Sequence, residues 1–211
     1  MAVVDYSLYL VTDPELGRER PIGQIVEAAM RGGVTVVQYR QKNAGTRRMF
    51  EEALELRQLC RGYGVPFIVN DRLDVALAVD ADGLHVGQDD LPAEIARKLI
   101  GPNKLLGVSV ENVSQLRAAE AAGADYVGAS PIFATPTKPD APPAMGLAGL
   151  AELAHHSTVP VVAIGGLNAS NAASIVRAGA AGLAVVSAIV AAQDVEAAAR
   201  QLKQIIEETR P

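Results

Sequence analysis

The chain has 211 residues, a net charge of −5, one cysteine and no tryptophan. That length suits one large domain or two small ones, and the acidic balance argues against a general nucleic-acid surface, which needs clustered Lys and Arg. A lone cysteine excludes an intramolecular disulfide framework.

The first residues, MAVVDYSLYLVTD, have no basic opening and include Asp5, so they make a poor signal peptide. The longest apolar stretch, near 180–192, is short and broken by Gly182 and Ser187, too little to span a bilayer. The expectation is a cytoplasmic soluble protein with no membrane or nucleic-acid partner.

In chain order, apolar runs give eight strand candidates. They are 6–11 (YSLYLV), 34–39 (VTVVQY), 66–70 (PFIVN), 83–87 (GLHVG), 104–109 (KLLGVS), 125–129 (DYVGA), 160–165 (PVVAIG) and 182–187 (GLAVVS). Several follow a helix-like segment closed by Gly, which is how an αβ loop reads. Between the strands, Ile22, Ile25, Val26 and Ala29 space as one helical stripe. Met49, Ala53, Leu56, Cys60 and Tyr63 form another, so Cys60 reads as a small core residue. Val113, Leu116, Ala119 and Ala122 form a third with Asn112 as N-cap, and Asp194 caps a last helix facing Val195, Ala198, Leu202, Ile205 and Ile206 inward.

The strand runs are continuously apolar rather than alternating, the signature of parallel strands buried on both faces. Eight βα units in about 200 residues predict an α/β fold of one domain, a (β/α)8 TIM barrel spanning 1–211. An open doubly wound sheet is the alternative architecture.

Polar residues gather at the strands' C-terminal ends. Thr12 and Asp13 follow the first. At the second, a period of two places Gln38, Arg40 and Lys42 on one face and Tyr39 and Gln41 on the other. Asn70 and Asp71 end the third, and His85, Gln88, Asp89 and Asp90 mark the fourth. Ser109 ends the fifth, Ser130 leads into Thr135, Thr137 and Lys138, and Gly165, Gly166 and Ser187 end the last two. In a barrel these ends converge on one rim, where substrates bind.

Two anion sites can be read from this rim. Asp71 and Asp90 (or Asp89) lie one strand apart beside Arg40, Lys42 and Lys138. Two close carboxylates repel, and a hard divalent cation such as Mg2+ removes the conflict while engaging phosphate oxygens. Asp71 could also cap the helix beginning at Arg72. Across the rim, Gly165–Gly166 lets backbone approach an anion, and Ser187 precedes a short apolar turn; together they resemble the phosphate site of many barrels. One diphosphate-sized and one monophosphate-sized site suggest a transfer reaction with diphosphate as leaving group. His155 and His156 end a helix away from the rim, and His85 reads as structural or as a base.

QYRQK (38–42), ND (70–71), HVGQDD (85–90), GVS (107–109), PIFATPTK (131–138) and IGG (164–166) together resemble the thiamine-phosphate synthase family over nearly the whole chain. The resemblance implies a TIM-barrel transferase of thiamine biosynthesis. It would join 4-amino-5-hydroxymethyl-2-methylpyrimidine diphosphate to 4-methyl-5-(2-hydroxyethyl)thiazole phosphate, releasing diphosphate and using Mg2+. By position, Gln38, Arg40, Lys42, Asn70, Ser109 and Lys138 would hold the pyrimidine diphosphate, with Arg40, Lys42, Ser109 and Lys138 catalytic. Asp71 and Asp90 would hold the metal, the HxGQxD pattern selecting Asp90. Thr135, Thr137, Gly166 and Ser187 would hold the thiazole phosphate. Independently of the resemblance, residues 131–145, the longest stretch without helix or strand periodicity and holding five prolines, read as a closing lid. Gln41, Ser130 and Ala134 depart from the family's usual residues. The partners are small phosphorylated substrates, and the sequence leaves room for a homo-oligomer. A relative that aromatises the thiazole phosphate, or a non-catalytic phosphate sensor, are the rival readings.

Overall fold

The computed structural model describes residues 4–17, 20–135 and 143–210. Eight strands run β1 Leu8–Val11, β2 Val36–Tyr39, β3 Phe67–Asn70, β4 Gly83–Val86, β5 Leu105–Val110, β6 Tyr126–Ala129, β7 Val161–Ile164 and β8 Gly182–Val185. Every neighbouring pair is parallel. Leu8 pairs with Leu183 and Leu10 with Val185, so β1 joins β8 and the sheet closes. Closure decides for the (β/α)8 TIM barrel over the doubly wound sheet.

The helices are α1 Ile22–Arg31, α2 Thr46–Tyr63, α3 Leu73–Ala78, α4 Ala93–Ile100, α5 Val113–Ala121, α6 Gly146–His156, α7 Ala172–Arg177, α8 Ser187–Val190 and α9 Val195–Thr209. Asn112 accepts from Gln115 N–H and Asp194 from Ala197 N–H, both at the predicted caps. Each such cap contributes about 1 kcal/mol.

The strands separate two apolar layers. Leu8, Leu10, Val37, Phe67, Val69 and Leu84 face outward against the helices, while Tyr9, Val11, Val36, Ile68, Tyr126 and Val162 fill the barrel. Burying each large aliphatic or aromatic side chain favours folding by about 1.5–3 kcal/mol. The predicted α9 stripe needs one correction: Ala199 is buried where Ala198 was expected. A Cβ placed on Gly32, just after α1, would lie 2.6 Å from the Ala199 methyl, so these two positions set how closely α1 and α9 pack. On α2, Met49, Ala53, Leu56 and Cys60 are buried as expected, but Tyr63 lies exposed with its hydroxyl on Glu27.

Candidate active site

The alternation that packs the barrel also builds its floor. Tyr9, Gln38, His85, Ser109 and Tyr126 point inward from five strands and hydrogen-bond in series. Gln38 Nε2 lies 2.9 Å from the Tyr9 hydroxyl, which lies 2.7 Å from that of Tyr126. Tyr126 lies 3.0 Å from His85 Nδ1, and His85 Nε2 lies 2.9 Å from Ser109 Oγ. Gly107 makes room for this contact: a Cβ there would fall 2.3 Å from the Tyr126 hydroxyl and 2.4 Å from His85 Nδ1. Burial pushes His85 down to about 4, and it raises both phenols, so the imidazole stays neutral and the hydroxyls stay protonated.

Above the floor lies the charged rim. Thr12 Oγ1 accepts from Arg40 N–H at 2.9 Å, and Asp13 Oδ2 lies 3.6 Å from the Arg40 guanidinium. Lys42 Nζ donates to Asp71 Oδ2 at 2.6 Å. Asp71 does not cap α3. The N-cap position is Arg72, which makes no side-chain cap, and Asp71 has a left-handed φ of 61° that turns its carboxylate to the rim. Asp90 Oδ2 accepts from Gly87 N–H at 2.8 Å and lies within hydrogen-bond reach of Asp71. Burial, then the Asp71 carboxylate, raises Asp90's pKa.

This donor set fits a hard divalent cation. Two neighbouring carboxylates repel, and the raised proton affinity of Asp90 records that repulsion, which a bound positive charge would relieve. Among the described residues no third His, Cys, Asp or Glu completes a cluster. Mg2+ suits such a pair, since it commonly takes one or two carboxylates and fills its shell with water and phosphate oxygens.

Across the barrel, Phe133 N–H bonds Gly165 carbonyl and Ile132 N–H bonds that of Ile164, tying the loop after β6 to the end of β7. Gly166 has φ 68°, and a Cβ there would sit 2.8 Å from that of Phe133. Only glycine combines that φ with such close packing. Ser187 opens α8 as expected, with Ile189 and Val190 buried beneath it.

One cavity, about 1120 Å³ including its open mouth, spans both regions. Gln38, Arg40, Lys42, Asn70, Asp71, Asp90, Ser109, Thr135, Gly166 and Ser187 all line it. Tyr39, Gln41 and Asp89 do not, as the period of two and the HxGQxD spacing predict.

A family model described as thiamine monophosphate synthase matches residues 8–189. A thiamine-phosphate synthase of Chloroflexus aurantiacus is 61% identical over 208 residues, covering 99% of this chain and 96% of that protein. The chain belongs to the thiamine-phosphate synthase family. A second such synthase, from Syntrophomonas wolfei, is 53% identical over 203 residues, covering 96% of this chain and 97% of that protein. The solved thiamine phosphate pyrophosphorylase from Pyrococcus furiosus superposes with a TM-score of 0.90 at 44% identity, covering 98% of each chain. The protein is therefore a TIM-barrel transferase of thiamine biosynthesis.

Set in this thiamine-phosphate synthase barrel, two of the predicted site residues, Thr137 and Lys138, lie outside the described residues. So does the central part, 136–142, of the expected lid. Its described flanks are pinned: Met145 N–H bonds Pro131 carbonyl and Gly146 N–H bonds that of Ile132. Ser130 lines the cavity, and the Ala134 carbonyl packs against Gly166, so both departures sit at the site. Sequence reasoning missed Tyr9 and Tyr126, which read only as strand residues. The signal was present in Gly107 and Gly128, small residues on the adjacent strands β5 and β6 that leave space for the Tyr126 and His85 rings. Among the described residues no helix is long and apolar enough to cross a membrane.

Proposed function

We propose that this cavity joins the aminopyrimidine methyl diphosphate to the thiazole phosphate, with the residues sorted by charge. The observation that supports this most is the separation within one cavity. Arg40, Lys42, Asp71 and Asp90 stand after β2, β3 and β4, while Thr135, Gly166 and Ser187 stand after β6, β7 and β8. A diphosphate suits the first group and a monophosphate the second.

In this reading the C–O bond between the pyrimidine methylene and the diphosphate breaks, and its electron pair leaves with the diphosphate. The aminopyrimidine ring stabilises the resulting cation. The thiazole nitrogen then gives its lone pair to the methylene carbon, forming the C–N bond. No protein nucleophile and no proton transfer are required. Mg2+ between Asp71 and Asp90 would supply positive charge to the departing diphosphate. Arg40 and Lys42 add to that charge, held by Asp13 and Asp71 until substrate arrives. Lys138 and Thr137 join the site on sequence grounds. Ser109 holds the diphosphate from the floor side, Asn70 its neighbouring edge, and Gln38 the ring. Val11, Val162, Ile164 and Ala184 form apolar wall that keeps water from the cation. The protein's contribution is positioning and electrostatics. Cytoplasmic residence accords with the free, buried Cys60.

The test incubates the protein with both substrates and Mg2+ and measures thiamine phosphate and diphosphate together. Equal amounts of both are expected. Aromatised thiazole phosphate without diphosphate, or tight binding with no product, would replace this reading with one of its rivals.

A further inference from the structure

The series Gln38–Tyr9–Tyr126–His85–Ser109 has a direction. The Gln38 Nε2 group can only donate, so the Tyr9 oxygen accepts from it at 2.9 Å. Tyr9 has one hydrogen, and its remaining partner is Tyr126 at 2.7 Å. Tyr126, having accepted, directs its own hydrogen to His85 Nδ1 at 3.0 Å. A neutral imidazole that accepts at Nδ1 carries its hydrogen on Nε2 and donates to Ser109 Oγ at 2.9 Å. The Ser109 hydrogen is then left to point elsewhere. Reversing the Tyr9–Tyr126 link would strand the Tyr9 hydrogen between two donors, and reversing the Tyr126–His85 link would strand that of Tyr126; both phenols are only 1% exposed, so water could not accept either hydrogen.

We propose that Tyr9, Tyr126 and His85 are positioning residues whose one-way hydrogen-bond chain fixes Gln38 as an acceptor and Ser109 as a donor toward the cavity. Both ends of the chain line that cavity. With its nitrogen turned to the phenols, the Gln38 amide presents Oε1 to the occupant, and Ser109 presents O–H. An aminopyrimidine offers a donor in its exocyclic amine, and its phosphate end offers acceptors. The floor thus selects a 4-amino ring over a 4-oxo ring, and does so through residues that need not touch the amine. The assignment of the ring to this pocket rests on the function proposed above. The chain's direction does not.

Two measurements test it. The first is long-range 1H–15N NMR of the wild-type His85 ring. The Nε2–H tautomer is expected, and the Nδ1–H tautomer or a doubly protonated ring at pH 7 would overturn the proposal. The second is calorimetric binding of the 4-amino and 4-oxo forms of hydroxymethylpyrimidine monophosphate, which lack the diphosphate leaving group. Wild type should favour the amino form by about 10-fold or more, the scale of an unpaired polar contact. Tyr9→Phe removes the acceptor for Nε2 and lets the amide turn over, so the preference should fall to within about 3-fold. Tyr126→Phe should loosen both ends, raising KM for the pyrimidine diphosphate while leaving that for the thiazole phosphate unchanged. A wild type without amino preference, or a folded Tyr9→Phe that retains it, overturns the proposal. Absence of diphosphate release by wild type that still shows the preference would instead overturn the proposed function alone.

Discussion

Lys42 Nζ lies 2.6 Å from Asp71 Oδ2, joining the end of β2 to the end of β3 at the mouth of the cavity. Lys42 is about half exposed, so this pair is screened and contributes at most about 1 kcal/mol to stability. A pair that weak can exchange partners when a cation and an anion arrive together, lysine to phosphate and carboxylate to metal. Asp71→Asn and Asp90→Asn should therefore cut turnover by about 10²-fold while changing unfolding free energy by under about 1 kcal/mol. Steady-state kinetics across an Mg2+ titration, with chemical denaturation of each variant, checks both halves. Turnover in EDTA equal to that in excess Mg2+ would refute the metal assignment.

Gly107→Ala addresses the floor. Its methyl would fall within 2.4 Å of Tyr126 and His85, so both rings and the hydrogen bond between them would have to shift. Overpacking of this kind should destabilise by about 3 kcal/mol and abolish activity. Gly62→Ala is the control. Gly62 lies inside α2 with nothing within 4 Å of a built Cβ, so alanine there should stabilise by about 0.5–1 kcal/mol. Thermal unfolding of the two variants beside wild type reads the contrast, and a Gly107→Ala protein as stable as wild type would show that the floor can yield.

Cys60 should be chemically silent in the folded protein. Burial, reinforced by the nearby Asp82 charge, pushes its thiol up to about 12. Raising the pKa removes the reactive thiolate, leaving about one in ten thousand ionised at pH 8, whereas the unfolded thiol near its ordinary value is substantially ionised. Iodoacetamide labelling at pH 8, followed by mass spectrometry, should be negligible in buffer and rapid in guanidinium. Labelling equally fast in both would place Cys60 at the surface.

The barrel was legible because each βα unit repeats the same physical demand. A strand buried on both faces must be continuously apolar, and a helix must present one stripe to it. The rim was legible for a related reason: Gln38, Arg40 and Lys42 interrupt an apolar run at a spacing of two, which puts them on one side. Tyr9 and Tyr126 escaped because a tyrosine in an apolar run is indistinguishable from core until the opposite strand is known, and register is not written in either strand alone. Asp71 looked like a helix cap because Asp before a helix usually is one. Its left-handed φ depends on β4, whose His85 carbonyl accepts from Asp71 N–H at 2.8 Å.

Arg20 supplies the last prediction, which concerns the half of the site that no charged side chain among the described residues marks. Its guanidinium donates to Ala192 carbonyl at 2.8 Å and to Val190 carbonyl at 2.6 Å, clasping the far end of α8, and its Nε bonds Gly17 carbonyl at 3.3 Å. Ser187 stands at the other end of that single turn, facing the cavity. A four-residue helix has too few internal bonds to hold its own orientation, so the clasp fixes where the Ser187 hydroxyl points. Arg20→Ala should raise KM for the thiazole phosphate by about 3–10-fold, the cost of one misplaced hydrogen bond, with KM for the pyrimidine diphosphate unchanged. Arg20→Lys should not restore it, because a point-like ammonium cannot reproduce the guanidinium fork across two carbonyls. Initial-rate kinetics varying each substrate in turn provides the measurement. Parallel changes in both KM values would mean that Arg20 supports the barrel as a whole, whereas a change confined to the thiazole phosphate would tie its clasp to the Ser187 side of the cavity.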